Sequence, residues 1–166
     1  MKLVGDQLSV WALSQKDGAA QDVFGRSAFN RYYYSAFLVT RAMLAEFDSK
    51  WKKEKHSSIP ILLTKGIKKR VKNSLDKNVK AGVLTEGEKG KLLASLNSST
   101  SELSNLLLDA YSLRCVADYE PEELITIDGR VIKLRNEKLT SANTWPDKAN
   151  SCCKVIRRVW MEAGLG

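Results

Sequence analysis

Phe29-Asn30-Arg31-Tyr32-Tyr33-Tyr34-Ser35-Ala36-Phe37-Leu38-Val39-Thr40-Arg41-Ala42-Met43-Leu44-Ala45-Glu46-Phe47 repeats its apolar residues with the period of an α-helix, not of a strand. On a 3.6-residue wheel Phe29, Tyr32, Tyr33, Ala36, Phe37, Thr40, Met43, Leu44 and Phe47 cover one broad face. Arg31, Tyr34, Leu38 and Arg41 fall on the opposite side. A helix with water behind it would carry only polar groups there. Tyr34 and Leu38 therefore predict neighbours on both sides, the helix's own bundle and a second subunit, and hence a homodimer that buries that back face.

Outward from this helix, which begins near Ala19 or Gly25, the chain keeps the same habit. Leu3 to Leu13 reads as a short helix ended by Gln15-Lys16-Asp17-Gly18. A basic connector, Lys50 to His56, leads to a helix over 58–77. Ser57 or Ser58 is placed to cap it and Pro60 is tolerated in its first turn, while Ile61, Leu62, Ile67, Val71 and Leu75 are its apolar positions. Val79 to Leu84 reads as a loop. Thr85-Glu86-Gly87-Glu88 is a capping box opening a long helix to about Cys115, with Leu92, Leu96, Leu103, Leu106, Leu107 and Ala110 on one face and Arg114 continuing the line. After Pro121 the period changes. Ile125-Thr126-Ile127, Asp128-Gly129 and Arg130-Val131-Ile132-Lys133-Leu134 read as a β-hairpin around a type I′ turn. A last helix runs from Thr144, as cap, toward Gly164. The fold class is all-α in the main, and the 166 residues make one domain with no internal repeat or low-complexity linker.

Composition narrows the class. Apolar residues at 43% and charged residues at 28% are ordinary for a globular chain and exclude wholesale disorder. No apolar run approaches the ~18 to 20 residues that cross a bilayer. Met1 to Asp6 meets an acid too early for a signal peptide, and three cysteines, two of them adjacent, make no disulfide framework, so a reducing cytoplasm is the expected home. The net charge of +8 is unevenly spread: residues 50–80 carry eleven Lys/Arg against Glu54 and Asp76, a net of +9, which leaves the remainder near −1. Such a concentrated field recruits a polyanion, and RNA is the expected one, with Lys52, Lys53, Lys55, Lys68, Lys69, Arg70 and Lys72 as its contacts. The alternative is a solvated helix face.

Candidate chemistry is sparse. Arg114, centred on a leucine face, needs a carboxylate, a carbonyl or an anionic ligand. Asp118, four residues on, would make an internal pair; an RNA phosphate or a nucleotide would make a cleft. His56 is the only histidine, so any imidazole chemistry uses it, although a histidine at a helix entrance also serves as a cap or core partner. Tyr32, Tyr33 and Phe37 are core aromatics, and Tyr34 is the one placed to stack or to dimerise. Cys115, Cys152 and Cys153 lack zinc-ligand spacing. Asp118 with Glu120 or Glu122 beside a proline turn reads as solvated carboxylates rather than a cation site. No phosphate-cradling glycine loop or nucleophile elbow is present, so no metal or cofactor is expected.

Three segments are similar to HEPN domains. Arg31-Tyr32-Tyr33-Tyr34-Ser35-Ala36-Phe37 resembles the Arg-x-Tyr-Tyr-x-x-Phe of their second helix. His56-Ser57-Ser58-Ile59 resembles the His-Ser-Gly-hydrophobic start of their third. Leu113-Arg114-Cys115-Val116-Ala117-Asp118-Tyr119-Glu120-Pro121 resembles the Leu-Arg-x-x-Ala-Asp-Tyr-x-Pro end of their fourth. The resemblance implies an antiparallel bundle of four to five helices that dimerises through its central helices, with the hairpin near 125–134 as an insertion. It also implies an RNA-interacting protein of a prokaryotic toxin–antitoxin or antiviral defence module, with metal-independent endoribonuclease activity in many members. Under it Arg31, Tyr34 and Asp118 become functional positions, and Arg114, His56 and Tyr119 become the candidates for catalysis. The nuclease members carry Arg and then His about four to six residues later; after Arg114 stand Asp118, Tyr119 and Glu120, and no histidine. RNA cleavage without metal needs a base for the 2′-hydroxyl, and a phenol with an ordinary pKa near ~10 is a poor one. The departure supports the second reading, a non-catalytic domain that binds a nucleotide or a nucleotidyltransferase-like partner.

Overall fold

The computed structural model describes residues 1–166. The chain is mostly helical, with a small antiparallel sheet late in the sequence. Its elements are α1 (Lys2–Ser14), α2 (Gly18–Phe47), a 3-10 turn (Ser49–Lys53), a continuous helical run made of α3 (Ile59–Ile61), a π-helical segment (Leu62–Ile67) and α4 (Lys68–Lys80), then α5 (Glu86–Tyr119), β1 (Ile125–Asp128), β2 (Val131–Leu134), β3 (Glu137–Lys138), α6 (Leu139–Ala142) and α7 (Trp145–Glu162). The chain divides into two compact units, one of residues 1–38 with 107–148, the other of 39–106 with 149–166, so that α2, α5 and α7 contribute residues to both.

In the first unit the N-terminal half of α2 is capped by Asp17, whose carboxylate accepts from the amides of Ala19 and Ala20. Phe29 and Tyr32 of α2 pack into a core with Ala12, Val116, Ile132, Leu134 and Leu139. Gly5 is buried in α1 where a Cβ would stand 2.7 Å from the Tyr32 ring, so the two helices approach through the missing side chain. The Tyr32 hydroxyl donates to Asp6 (2.9 Å) and accepts from Asn143 (2.9 Å), which leaves no buried phenol unpaired.

The hairpin forms with apolar pairs Ile125–Leu134 and Ile127–Ile132 directly across the ladder. Its turn differs from the expected one. Asp128 pairs with Val131, so Gly129 and Arg130 are the central residues, and only Gly129 has positive φ, at 58°. That is the glycine-first pattern of a type II′ turn, not the type I′ turn that Asp-Gly at the centre would make. A third strand extends the sheet through Arg135-Asn136, with Leu134 paired to Glu137 and Arg135 at φ 52°. Ion pairs from Arg135 to Glu120 and, at 3.6 Å, to Glu123 hold that turn.

In the second unit the helical run after the 3-10 turn departs from its expected apolar face. Ile59, Leu63, Ile67, Val71 and Leu75 are fully buried, whereas Ile61 is 59% exposed and Leu62 is only half-buried. These buried positions recur every fourth residue. In an α-helix that line drifts by roughly 40° per step, and the wider π-helical turn takes up part of the drift. Thr64 marks the site, its hydroxyl donating to the Pro60 carbonyl (2.8 Å) and competing with the regular amide ladder. Ser58 is the N-cap residue, yet its hydroxyl donates to Glu54 and to the Lys55 carbonyl instead of capping. The Thr85–Glu88 capping box is complete: the Thr85 amide and hydroxyl donate to the Glu88 carboxylate, and the Glu88 amide donates to Thr85 Oγ1 at 3.2 Å. α5 continues to Tyr119, one turn beyond the expected end. Thr144 takes the N-cap position of α7, its hydroxyl donating to the Ser141 carbonyl. α7 closes with the Leu165 amide on the Trp160 carbonyl and Gly164 at φ 76°, a glycine-terminated helix end.

Candidate functional site

Two groups of predicted residues come together, each within its own unit. In the first unit, helical spacing puts Arg114 and Asp118 on one face of α5, and Nη2 of Arg114 lies 2.6 Å from Oδ2 of Asp118. Asn30 of α2 donates to the other carboxylate oxygen of Asp118. The guanidinium also makes two long bonds, to the hydroxyls of Tyr34 (3.4 Å) and Tyr119 (3.5 Å), and stands 5.8 Å and 5.3 Å from their ring centres. Burial opposes its charge, but the Tyr119 hydroxyl and the Asp118 carboxylate outweigh that and hold the guanidinium above its usual basicity. Its Nε is buried with no partner, as is Oδ1 of Asn30.

Tyr34, expected to have neighbours away from the main apolar stripe, has them within its own unit. Its ring packs at 5.4 Å against Tyr33 and its hydroxyl meets Arg114 of the same chain; Leu38 is half-buried. Tyr33 is buried, and desolvation raises its phenol far above the ordinary value. Tyr111 is raised too, first by its hydrogen bond with Cys115. Tyr119 is 69% exposed, and Arg31 is half-buried with a weak contact to the Met1 sulfur at 3.8 Å. The surroundings of Arg114 are phenols, a thiol and a carboxylate already paired. The only imidazole, His56, belongs to the second unit, half-buried in the turn before α3. Of the two readings of Arg114, this geometry realises the internal pair, a polar clasp between α2 and α5.

A second arginine of this unit was not foreseen. Arg26 is 9% exposed, and its Nη atoms donate to the carbonyls of Val116 (3.2 Å), Ala117 (3.1 Å), Glu120 (3.1 Å), Pro121 (3.4 Å) and Glu123, while Nε bonds Asp22 at 2.8 Å. It adds a donor to the carbonyls around the end of α5, of which Val116 and Glu120 also accept from the Glu120 and Glu123 amides. The signal was present in the spacing, since Arg26 lies three and seven residues before Phe29 and Tyr33 and four after Asp22.

The second unit holds the basic segment. Lys50, Lys52, Lys53, Lys55, Lys65, Lys69, Lys72, Lys77 and Lys80 are exposed. The ion pairs of this unit engage Arg70, Lys89, Arg157 and Arg158, and leave those nine ammonium groups without a carboxylate partner. Two of the residues expected to face RNA are diverted. Arg70 bonds Asp48 at 2.8 Å and lies 4.3 Å over the Trp51 ring; Lys68 reaches Ser101 at 3.4 Å. Asp48 is held below the usual carboxylate range by the Lys50 amide and then by Arg70, and Asp76 by its bond to Lys89. Both carboxylates are thus spent on other partners. Trp51 itself is buried, 6.2 Å from Trp160, which stacks on Phe47 at 4.2 Å.

Cys152 and Cys153 are buried, and desolvation pushes both thiols up to about 11, which makes them poor nucleophiles. No group of three or more His, Cys, Asp or Glu side chains is arranged to hold a metal ion, and no helix is long and apolar enough to cross a membrane. Comparison with protein-family models, with curated proteins and with solved structures finds no match for this chain.

Proposed function

We propose that this chain is an RNA-binding protein that grips phosphates through the lysines of residues 50–80. The observation that carries this reading is the set of nine exposed, unpaired ammonium groups within one segment, whose two carboxylates are turned away, Glu54 to Ser58 and Asp76 to Lys89. A field of that density recruits a polyanion and releases its counterions on binding. The reading is one of binding, and it leaves Arg114 to its ion pair with Asp118. The similarity of Arg31–Phe37, His56–Ile59 and Leu113–Pro121 to HEPN motifs supports placing it in a toxin–antitoxin or defence module, as the non-catalytic member that acts with a nucleotidyltransferase-like partner. Filter binding to a structured RNA across salt tests the reading. Engagement of about five lysines predicts an affinity loss of a hundredfold or more between about 50 and 200 mM salt. A flat salt response, or no binding at low salt, overturns it.

A further inference from the structure

The basic segment also carries information about which form of RNA it fits, and this deepening rests on the RNA-binding reading above. Proteins that hold single strands pair a basic groove with exposed aromatic rings on which successive bases stack. The segment has none. Of its two aromatic rings, Trp51 is buried beneath the Arg70 guanidinium and the His56 imidazole is half-buried, while Phe47 and Trp160 of the same unit stack on each other. Reading base edges in a groove calls for a forked or bidentate group, most often arginine. The only arginine of the segment, Arg70, is held by Asp48 at 2.8 Å. The exposed cations that remain are lysines, point charges on flexible stems that suit phosphate better than the planar edge of a base.

The backbone positions that carry several of those charges are set by one helix. Lys69, Lys72 and Lys80 lie on one line of α4, at spacings of three and eight residues, and span roughly 16 Å at helical rise. Lys72 and Lys80 both act on Asp76, which stands between them on that line, and Asp76 itself is taken by Lys89. The Asp48–Arg70 pair fastens the 3-10 turn, with Lys50, Lys52 and Lys53, to the start of the same helix. A row of charges set along a helix matches the closely spaced phosphates of a duplex, whose two strands make a denser field than a single strand.

We infer that the ligand of this surface is double-stranded RNA, bound through its backbone without regard to sequence. Fluorescence anisotropy at low salt tests it, with four probes of matched label: a duplex of about 20 base pairs, its unstructured component strand, a duplex of the same length with its base pairs exchanged, and vesicles containing phosphatidylserine. The duplex is expected to bind at least tenfold tighter than the strand, and the two duplexes within threefold of each other. In Lys69→Ala/Lys72→Ala the duplex salt slope is expected to fall by about 2, at about one per lysine, with an unchanged melting curve. A strand that binds as tightly as the duplex, quenching of 2-aminopurine placed in that strand, or a tenfold preference between duplexes would overturn the duplex assignment while leaving RNA binding intact. Vesicle binding without duplex binding, or binding to no probe, overturns both.

Discussion

Arg114 and Asp118 form a 2.6 Å ion pair one helical turn apart in α5, and Asn30 of α2 holds the same carboxylate from the other side. The pair is only partly exposed, so removing one partner leaves the other with incomplete solvation. Arg114→Ala is expected to lower stability by about 2 kcal/mol and Asp118→Asn by about 1 kcal/mol, measured by urea denaturation. RNA affinity should stay the same in both variants. A collapse of RNA binding at full stability would instead make Arg114 part of the binding surface.

Arg26 should be the most sensitive charged residue of the first unit. Its guanidinium joins Asp22 to five carbonyls around the end of α5 and the turn before β1. Arg26→Leu removes the guanidinium donors from those acceptors, and Arg26→Lys keeps the charge but loses the planar fork. A loss of about 3 kcal/mol or more is expected for Leu, with only partial recovery for Lys, in the same denaturation assay. A Leu variant as stable as the parent would show that the carbonyls are satisfied in another way.

Alkaline pH should weaken the fold through Tyr32. Burial, set against the Asn143 hydrogen bond and aided by Asp6, pushes its phenol up to about 12. A folded-state pKa above the unfolded value near ~10 means that the folded chain holds its proton longer. Its contribution is full below pH ~10 and is lost as pH rises toward 12, by roughly 2 to 3 kcal/mol. Unfolding free energy measured from pH 9 to 12 should fall, and Tyr32→Phe should flatten that part of the slope.

Gly5→Ala tests the close approach of α1 to α2. The added methyl would stand 2.7 Å from the Tyr32 ring, which is itself pinned by Asp6 and Asn143. Alanine is the better helix former, so propensity alone predicts a gain. Overpacking is expected to win, with a net loss of about 1–3 kcal/mol by thermal or chemical denaturation. A stabilised variant would mean that α1 can slide aside.

The Thr85–Glu88 capping box gives a milder expectation. Glu88 is held below the usual carboxylate range, first by the Thr85 amide and then by its hydroxyl. Glu88→Ala should lower stability near neutral pH. The difference between variant and parent should vanish as pH falls through the carboxylate range, because a lowered folded-state pKa loses its contribution there. Paired denaturation curves at pH 7 and pH 3 read this directly.

Much of this molecule is written in short-range pattern. The wheel of Phe29 to Phe47 marked the buried face of α2, with Phe29, Tyr32, Tyr33, Met43 and Leu44 all buried. Thr85 with Glu88 marked the start of α5, and the alternation around Asp128-Gly129 marked the hairpin. Period and caps involve residues within about four positions of each other, so the chain determines them before any long-range contact forms. Partner choice is different in kind. Arg26 meets carbonyls ninety or more residues away, and Asn30 meets Asp118 across 88, which no local spacing specifies. The ion pair of Arg70 with Asp48, its place over the Trp51 ring and the contact of Arg114 with Tyr34 are likewise joined across distances that local pattern does not reach. The buried line Ile59–Leu63–Ile67–Val71–Leu75 depended on a π-helical turn whose register is set by what the helix packs against. Charge and periodicity are properties of the chain. Which charges remain unpaired is a property of the fold, because a salt bridge requires two groups that only tertiary structure brings within reach.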